Sequence, residues 1–502
     1  MEAFSNKAEE VIQRSVDVKE GEKCEDVHSY LEIDRCISFV TQNDFKRVAL
    51  QFPDNLLWTA AQVVAFLSKS TSAKYFILGD TSYGSCCVDE VAANHAEVDC
   101  IIHFGRSCLS RTSRLPVLYV FGKQPVDVED LVEAFKGFFP ELSQPVLILY
   151  DVIYAHIKDE LKERLSSLSD QVIVSMINIS VSHPARGHKV TGDEINNAID
   201  ENHLKVPTEK TVSETEKPRT CEISGRYFTL PEDQSIDNCS CFYIGGESLT
   251  LKNLMMTLNK CPFYSYNPET KNSRRESLNV NRMLMKRYYL IERAKDADIV
   301  GILVGTLGVS KYLDILNHLK NVIKRAGKKH YTFAVGKLNV AKLANFMEVQ
   351  VYVLVACQEN TLIDSTEFYQ PVVTPFEMEI ACNQAREWTG EYVTDFSQLL
   401  PGAAKHIPMP DTLERETDVS LITGSLRSIR PWDDVGLEDN NRAVVKREEA
   451  LALVEHKTAG ESLSQRSWQG LQPDLGQTPV SDVIEGTRGI AASYTHEEGT
   501  PV

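Results

Sequence analysis

The chain has no C-x-x-C pair, although it carries twelve cysteines. Compact zinc ribbons and thioredoxin-type dithiols need that spacing and are thereby excluded. The G-x-G-x-x-G, G-K-[ST], G-x-S-x-G, H-E-x-x-H and EF-hand patterns are missing too. That removes the common dinucleotide, P-loop, serine-hydrolase, zincin and calcium-loop readings. Positive charge is scarce: 53 Lys and Arg stand against 71 Asp and Glu, a formal net charge of −18. Such a balance argues against a protein that coats a nucleic-acid backbone. The best local candidate for a basic patch, "KNSRRE" (271–276), reads as a solvated loop. No apolar run approaches the ~20 residues that cross a bilayer. The opening "MEAFSNKAEEVIQRS" is acidic and amphipathic, unlike a secretory or transit segment. The expectation is a cytoplasmic protein with reduced thiols.

What is present is a rhythm. A chain of 502 residues suggests two to four domains. Three segments begin alike: "VALQFPDNLLWTAAQVVAFL" (48–67), "VLILYDVIYAHIKDELKERL" (146–165) and "VGILVGTLGVSKYLDILNHL" (300–319). Each is a short β-branched apolar run, a polar or Gly break, then an apolar stripe at helical spacing: a buried strand feeding an amphipathic helix. Each is followed by further apolar runs: "KYFILGD" and "CIIHFG"; "QVIVSM" and "CFYIGG"; "HYTFAVG" and "VYVLVAC". Alternating strands and helices predict an α/β fold with small parallel sheets covered on both faces. We read three such units in tandem, over 31–140, 141–265 and 266–390, after an N-terminal segment 1–30. A polar insertion, 183–222, reads as a flexible loop because it has little apolar surface to offset its ordering entropy. Residues 391–502 read as a largely irregular tail with apolar islands "DVSLITG" (418–424), "SWQGL" (467–471) and "GIAASY" (489–494), able to dock on a core or a partner.

Ligands of open α/β sheets bind beyond the carboxyl ends of the strands. Three thiol sites fall there: Cys86 and Cys87 after "YFILGD", Cys108 after "IIHFGRS", and Cys357 at the end of "VYVLVA". Cys100 and Cys241 begin their strands and read as core thiols. From pattern alone, packing and ligation both stand for the first group. Three thiolates from separate units fit a zinc site completed by water. They also fit a 4Fe–4S cluster with one iron open to a small molecule. "VGTLGVS" (304–310) reads as a tight strand–helix turn, with an anion-binding turn as the weaker alternative.

The stretches "VALQFPDNLL", "FILGDTSYGSCCVDEVAANH", "IIHFGRSCLS", "VGILVGTLGV", "KLNVAKLANFMEVQVYVLVACQEN" and "FYQPVVTPFEMEIACN" resemble the diphthamide-synthesis family of 2-(3-amino-3-carboxypropyl)histidine synthases, over about 30–390. The islands "VSLITG" and "SRSWQGL" resemble its eukaryotic second-subunit branch. The resemblance implies three Rossmann-like domains arranged around a central 4Fe–4S cluster. It implies transfer of a 3-amino-3-carboxypropyl radical from S-adenosylmethionine to a histidine of translation elongation factor 2. The family does this without the C-x₃-C-x₂-C motif, which this chain also lacks.

Carried over residue by residue, the ligands are Cys87, Cys108 and Cys357, with Cys86 as the alternative to Cys87 because adjacent thiols on a turn are expected to diverge. Cys108 would replace the ligand that the middle domain supplies in members with one cysteine per domain. The resemblance further implies a heterodimer with a paralogous catalytic subunit, an accessory redox role for this chain with no catalytic residue of its own, and a small zinc-ribbon electron donor; the alternative is a cluster-free structural partner subunit whose thiols bind nothing.

Overall fold

The computed structural model describes residues 26–79, 84–142, 144–166, 168–169, 171–181, 219–231, 234–410, 417–424 and 426–428. All lie in one compact unit, Met1–Val445; a second unit, Lys446–Val502, lies outside the described residues.

The apolar runs become strands. β1 (Arg47–Gln51), β2 (Lys74–Leu78), β3 (Cys100–Phe104) and β4 (Val117–Val120) form one parallel set, in the order β2-β1-β3-β4. β5 (Val146–Tyr150) and β6 (Val172–Val174) open a second set. β7 (Met176–Ile177) pairs instead with a hairpin, and β8 (Ser180–Val181) returns antiparallel to β4. The hairpin is β9 (Arg219–Ile223) and β10 (Arg226–Leu230). β11 (Ser240–Ile244) and β12 (Phe263–Asn267) complete the second set, with β13 (Asn272–Arg275) antiparallel at its edge, in the order β13-β12-β11-β5-β6. β14 (Ile299–Val304), β15 (Lys329–Ala334), β16 (Val351–Val355) and β17 (Val372–Val373) form the third, in the order β15-β14-β16-β17.

In each set the leading strand is flanked by its second and third partners. The leading and third strands carry the cores: β3, β5, β11, β14 and β16 are buried at every position. Strands covered on both faces have no polar alternation to keep, which is why they read as continuous apolar runs. The third core is closed by helix Pro375–Cys382, started by a Thr374–Glu377 capping box with Pro375 in its first turn.

Two readings change and two are sharpened. "KNSRRE" is no loop: Asn272–Arg275 is an edge strand, and Arg274 pairs with Glu247 and Glu276. An edge strand needs polar outward side chains, so its composition mimics a loop. The insertion 183–222 ends in structure, since 219–222 belong to β9; residues 182–218 lie outside the described residues. The tail is irregular where it begins but not detached: Tyr392, Phe396, Leu399 and Leu400 are buried in the core of the third sheet. Of the tail islands, Thr417–Val419 pairs with Leu426–Ser428, and Ser420 Oγ donates to Asp296 at 2.8 Å. "SWQGL" and "GIAASY" lie outside the described residues.

Candidate metal centre

Each thiol sits beyond the carboxyl end of a parallel strand, as the strand–helix pattern predicts. β2 ends at Leu78, and the chain then reaches a turn closed by Cys87 N–H donating to the Gly84 carbonyl at 3.3 Å. After β3, Gly105 turns the chain toward Cys108 with φ +83°; a Cβ there would stand 2.8 Å from Pro53 Cγ. Both demands admit only glycine. Cys357 follows β16 by two residues.

The structure brings the three segments to one point. The sulfurs of Cys86, Cys87, Cys108 and Cys357 all lie within 4.8 Å of one another. Cys86 Sγ is 3.7 Å from Cys357 Sγ, and Cys87 Sγ is 3.8 Å from Cys108 Sγ. The expectation that adjacent thiols diverge therefore fails. In a turn the backbone rotates between neighbours, unlike a strand, where successive side chains alternate sides. Cys87, Cys108 and Cys357 are buried and Cys86 is half-buried. Cys100 and Cys241 are buried strand thiols outside the group, as expected from their positions.

Residues the sequence did not single out fix the thiol loops. Gln51 Nε2 donates to the Cys87 carbonyl (2.7 Å), and its Oε1 accepts from Asp89 N–H (2.9 Å). Cys108 N–H donates to the Cys86 carbonyl at 3.1 Å. The buried Glu90 carboxylate accepts from the N–H groups of Ser113, Arg114 and Leu115, at 3.1, 2.7 and 2.9 Å. Two donors address sulfur directly: Asn360 Nδ2 to Cys86 Sγ at 3.2 Å, and Thr306 Oγ1 to Cys87 Sγ at 3.8 Å. "VGTLGVS" finds its role here. A Cβ on Gly308 would lie 2.1 Å from the Val88 carbonyl oxygen, so this tight turn packs directly on the Cys87 loop.

The middle sheet brings no thiol but grips the other two loops. Arg106, two residues before Cys108, donates to Asp151 Oδ2 at 2.7 Å and to Thr250 Oγ1 at 3.0 Å. Glu359, two residues after Cys357, lies 3.5 Å from the same guanidinium and accepts from Thr250 Oγ1. Tyr243 OH also donates to Asp151 Oδ2, at 3.2 Å. The β9–β10 turn meets Leu109, whose φ of 55° is left-handed; a Cβ on Gly225 would lie 2.4 Å from Leu109 Cβ. Sequence signals for these residues existed: Gln51 is a polar residue inside a buried run, and Asp151 directly follows one.

Proton sharing marks the group, as it does the separate Cys241–Cys261 pair. Hydrogen bonds from Cys357, then Cys86 and Cys87, hold the Cys108 thiol well below the usual range, while Cys108 pushes Cys86 and Cys357 up. One thiolate is thus favoured at Cys108 before any metal arrives. Burial instead pushes the isolated Cys36 up to about 12, which makes it inert at neutral pH. Four soft sulfur donors with no imidazole or carboxylate among them suit zinc or an iron–sulfur cluster. Gly84 allows a close approach beside them: a Cβ there would stand 3.3 Å from Asn360 Nδ2 and 3.9 Å from Cys86 Sγ. Beside the group lies a cavity of about 480 Å³ whose walls include Met256, Arg287, Gly305, Ala356 and Asn360.

Known proteins resemble this chain in sequence and fold. Residues 52–393 match the family model described as "Putative diphthamide synthesis protein". The chain is 49% identical over 503 residues to 2-(3-amino-3-carboxypropyl)histidine synthase subunit 2 of Danio rerio, covering 99% of this chain and 97% of that protein. It is 45% identical to the Gallus gallus protein of the same name, covering 99% and 98%. The Schizosaccharomyces pombe protein is 36% identical, covering 98% and 96%. Among solved structures, the Pyrococcus horikoshii Dph2 described as containing a 4Fe-4S cluster shares the fold, with a TM-score of 0.51 at 22% identity, covering 76% of this chain and 97% of that one. The chain therefore belongs to the diphthamide synthesis protein family, alongside the sequences named 2-(3-amino-3-carboxypropyl)histidine synthase subunit 2.

Proposed function

We propose that this chain is the iron–sulfur subunit of the heterodimeric enzyme that transfers a 3-amino-3-carboxypropyl group from S-adenosylmethionine to a histidine of translation elongation factor 2, the first step of diphthamide biosynthesis. The observation that carries this reading is the meeting of four thiols from three separate strand ends. The Pyrococcus horikoshii relative, described with a 4Fe-4S cluster, supports it. The repeated strand order of the three parallel sheets supports reading them as three Rossmann-like domains around that point. Cys87, Cys108 and Cys357 hold the cluster, with Cys86 as the further thiol at hand. When bound, the cluster supplies one-electron chemistry at a potential set by thiolates, burial and hydrogen bonds. Asn360 and Thr306 address sulfur as such tuning donors do.

This chain's own part is to help keep the cluster of the paralogous catalytic subunit reduced, with electrons from a small zinc-ribbon protein of the cytoplasm. No acid–base pair of this chain is assigned to the chemistry.

The sulfur spacing favours a second reading. Tetrahedral zinc at a Zn–S distance of about 2.3 Å places its thiolates about 3.8 Å apart. The separations of 3.7 and 3.8 Å match that closely. Metal analysis separates the two. The chain is purified without oxygen together with its partner subunit, and iron, sulfide and zinc are measured. Single Cys87→Ala, Cys108→Ala and Cys357→Ala variants each leave three thiols, so the double variant Cys108→Ala/Cys357→Ala in this chain decides. Iron and sulfide should fall to the partner's share. Unchanged iron and sulfide would sink the ligand set, and zinc in place of iron would establish the second reading.

A further inference from the structure

We infer that Cys86 is the fourth ligand of this centre, so that the bound cluster has no iron open to a small molecule. The inference rests on the iron–sulfur reading above and goes beyond its three ligands. It would make this site one that passes electrons and binds no substrate.

Four observations carry it. The Cys86 sulfur stands as close to the group as any other, 3.7 Å from Cys357 Sγ. Its backbone is held in place: the Cys86 carbonyl accepts from Cys108 N–H (3.1 Å), and the Cys87 carbonyl from Gln51 Nε2 (2.7 Å). The two adjacent residues are thus pinned on both sides while both sulfurs face the same point.

The third observation is the Asn360 amide, donating to Cys86 Sγ at 3.2 Å. The amide aims a hydrogen-bond donor at this sulfur, as donors around ligating sulfurs do. The fourth is location. Asn360 also lines the 480 Å³ cavity, together with Gly305 and Ala356, the residue before Cys357. Of the four thiols, Cys86 is the half-buried one, and it is tied by a hydrogen bond to a wall of that cavity.

The test is spectroscopic. The full chain is loaded anaerobically with ⁵⁷Fe and sulfide and reduced. Electron paramagnetic resonance and Mössbauer spectra are then recorded with and without excess cyanide, a small ligand for open iron sites. The wild-type spectra should not change. Cys86→Ala should keep its cluster but show one distinct iron and a cyanide-induced shift, and Cys86→Ser, whose oxygen can ligate, should restore insensitivity.

A cyanide shift in the wild type overturns the inference while leaving the cluster reading intact. So does a Cys86→Ala spectrum identical to wild type and equally unresponsive. A wild-type chain that takes up no iron and sulfide removes the cluster reading itself, and this inference with it. If Cys86→Ala holds no cluster at all, the wild-type response to cyanide decides alone.

Discussion

Arg106, beyond the third strand of the first sheet, donates to Asp151, at the end of the leading strand of the second, across 2.7 Å. With Glu359 at 3.5 Å it ties three strand ends together beside the thiols. Asp151 is buried, whereas Arg106 is 42% exposed at its side chain, so the pair is neither fully desolvated nor free. Arg106→Ala leaves the Asp151 carboxylate with the Tyr243 hydroxyl alone. The expected loss is about 2 kcal/mol, between the values for exposed and buried pairs. Iron retained after anaerobic loading should fall in parallel, because Cys108 and Cys357 lie two residues from the clamp. Unchanged denaturation midpoint and iron content would show that the clamp does not position the thiols.

Gly308 tests how closely the third sheet must approach the Cys87 loop. The atom that an added Cβ would strike, Val88 O, belongs to the backbone and cannot swing aside. Gly308→Ala is expected to cost about 2 kcal/mol and to lower metal uptake, because the loop must retreat from Cys87. Gly79→Ala, with nothing within 4 Å of the new Cβ, is the control and should be near neutral. Equal thermal midpoints for the two variants would refute the packing argument.

His103 supplies a pH dependence. Burial, the largest cause, lowers its pKa from 6.5, and its Nε2–H donates to the Ser85 carbonyl at 3.1 Å. The fold keeps the ring neutral, so below 6.5 the unfolded chain binds a proton that the folded chain does not. Stability from this group is complete above pH 6.5 and is lost as pH falls toward the depressed folded value, by at most about 1.4 kcal/mol per pH unit. His103→Gln should therefore show a smaller stability difference between neutral and mildly acidic pH than wild type. Parallel pH profiles would count against the assignment.

Glu377 holds the third core by a buried polar knot. Its carboxylate takes both Arg287 Nε and Nη2 and accepts from Tyr392 OH at 2.8 Å and Thr374 N–H at 2.8 Å. Glu377→Ala leaves Arg287 charged and buried, which should cost about 4 kcal/mol. Replacing both partners, as Arg287→Met with Glu377→Leu, should recover much of it. A single variant within about 1 kcal/mol of wild type in chemical denaturation would contradict the buried-pair account.

The sequence by itself determined most of the parallel strands, because a strand covered on both faces reads as a continuous apolar run, as β3, β5, β11, β14 and β16 do, whereas the runs that became β2 and β15 lie partly exposed at sheet edges. It also determined where thiols could matter, since Cys86, Cys87, Cys108 and Cys357 follow strand ends while Cys100 and Cys241 begin strands. It misled where one composition serves two structures: the charged edge strand at 272–275 and the polar residues of β9 look like loop. Only the tertiary structure decided which thiols meet. Cys86 and Cys357 are 271 positions apart in the chain and 3.7 Å apart at sulfur. Sequence spacing carries no trace of that, because the geometry is set by how three sheets pack. The same holds for Arg106, Asp151 and Glu359, each an ordinary charged residue until packing removes the water between them.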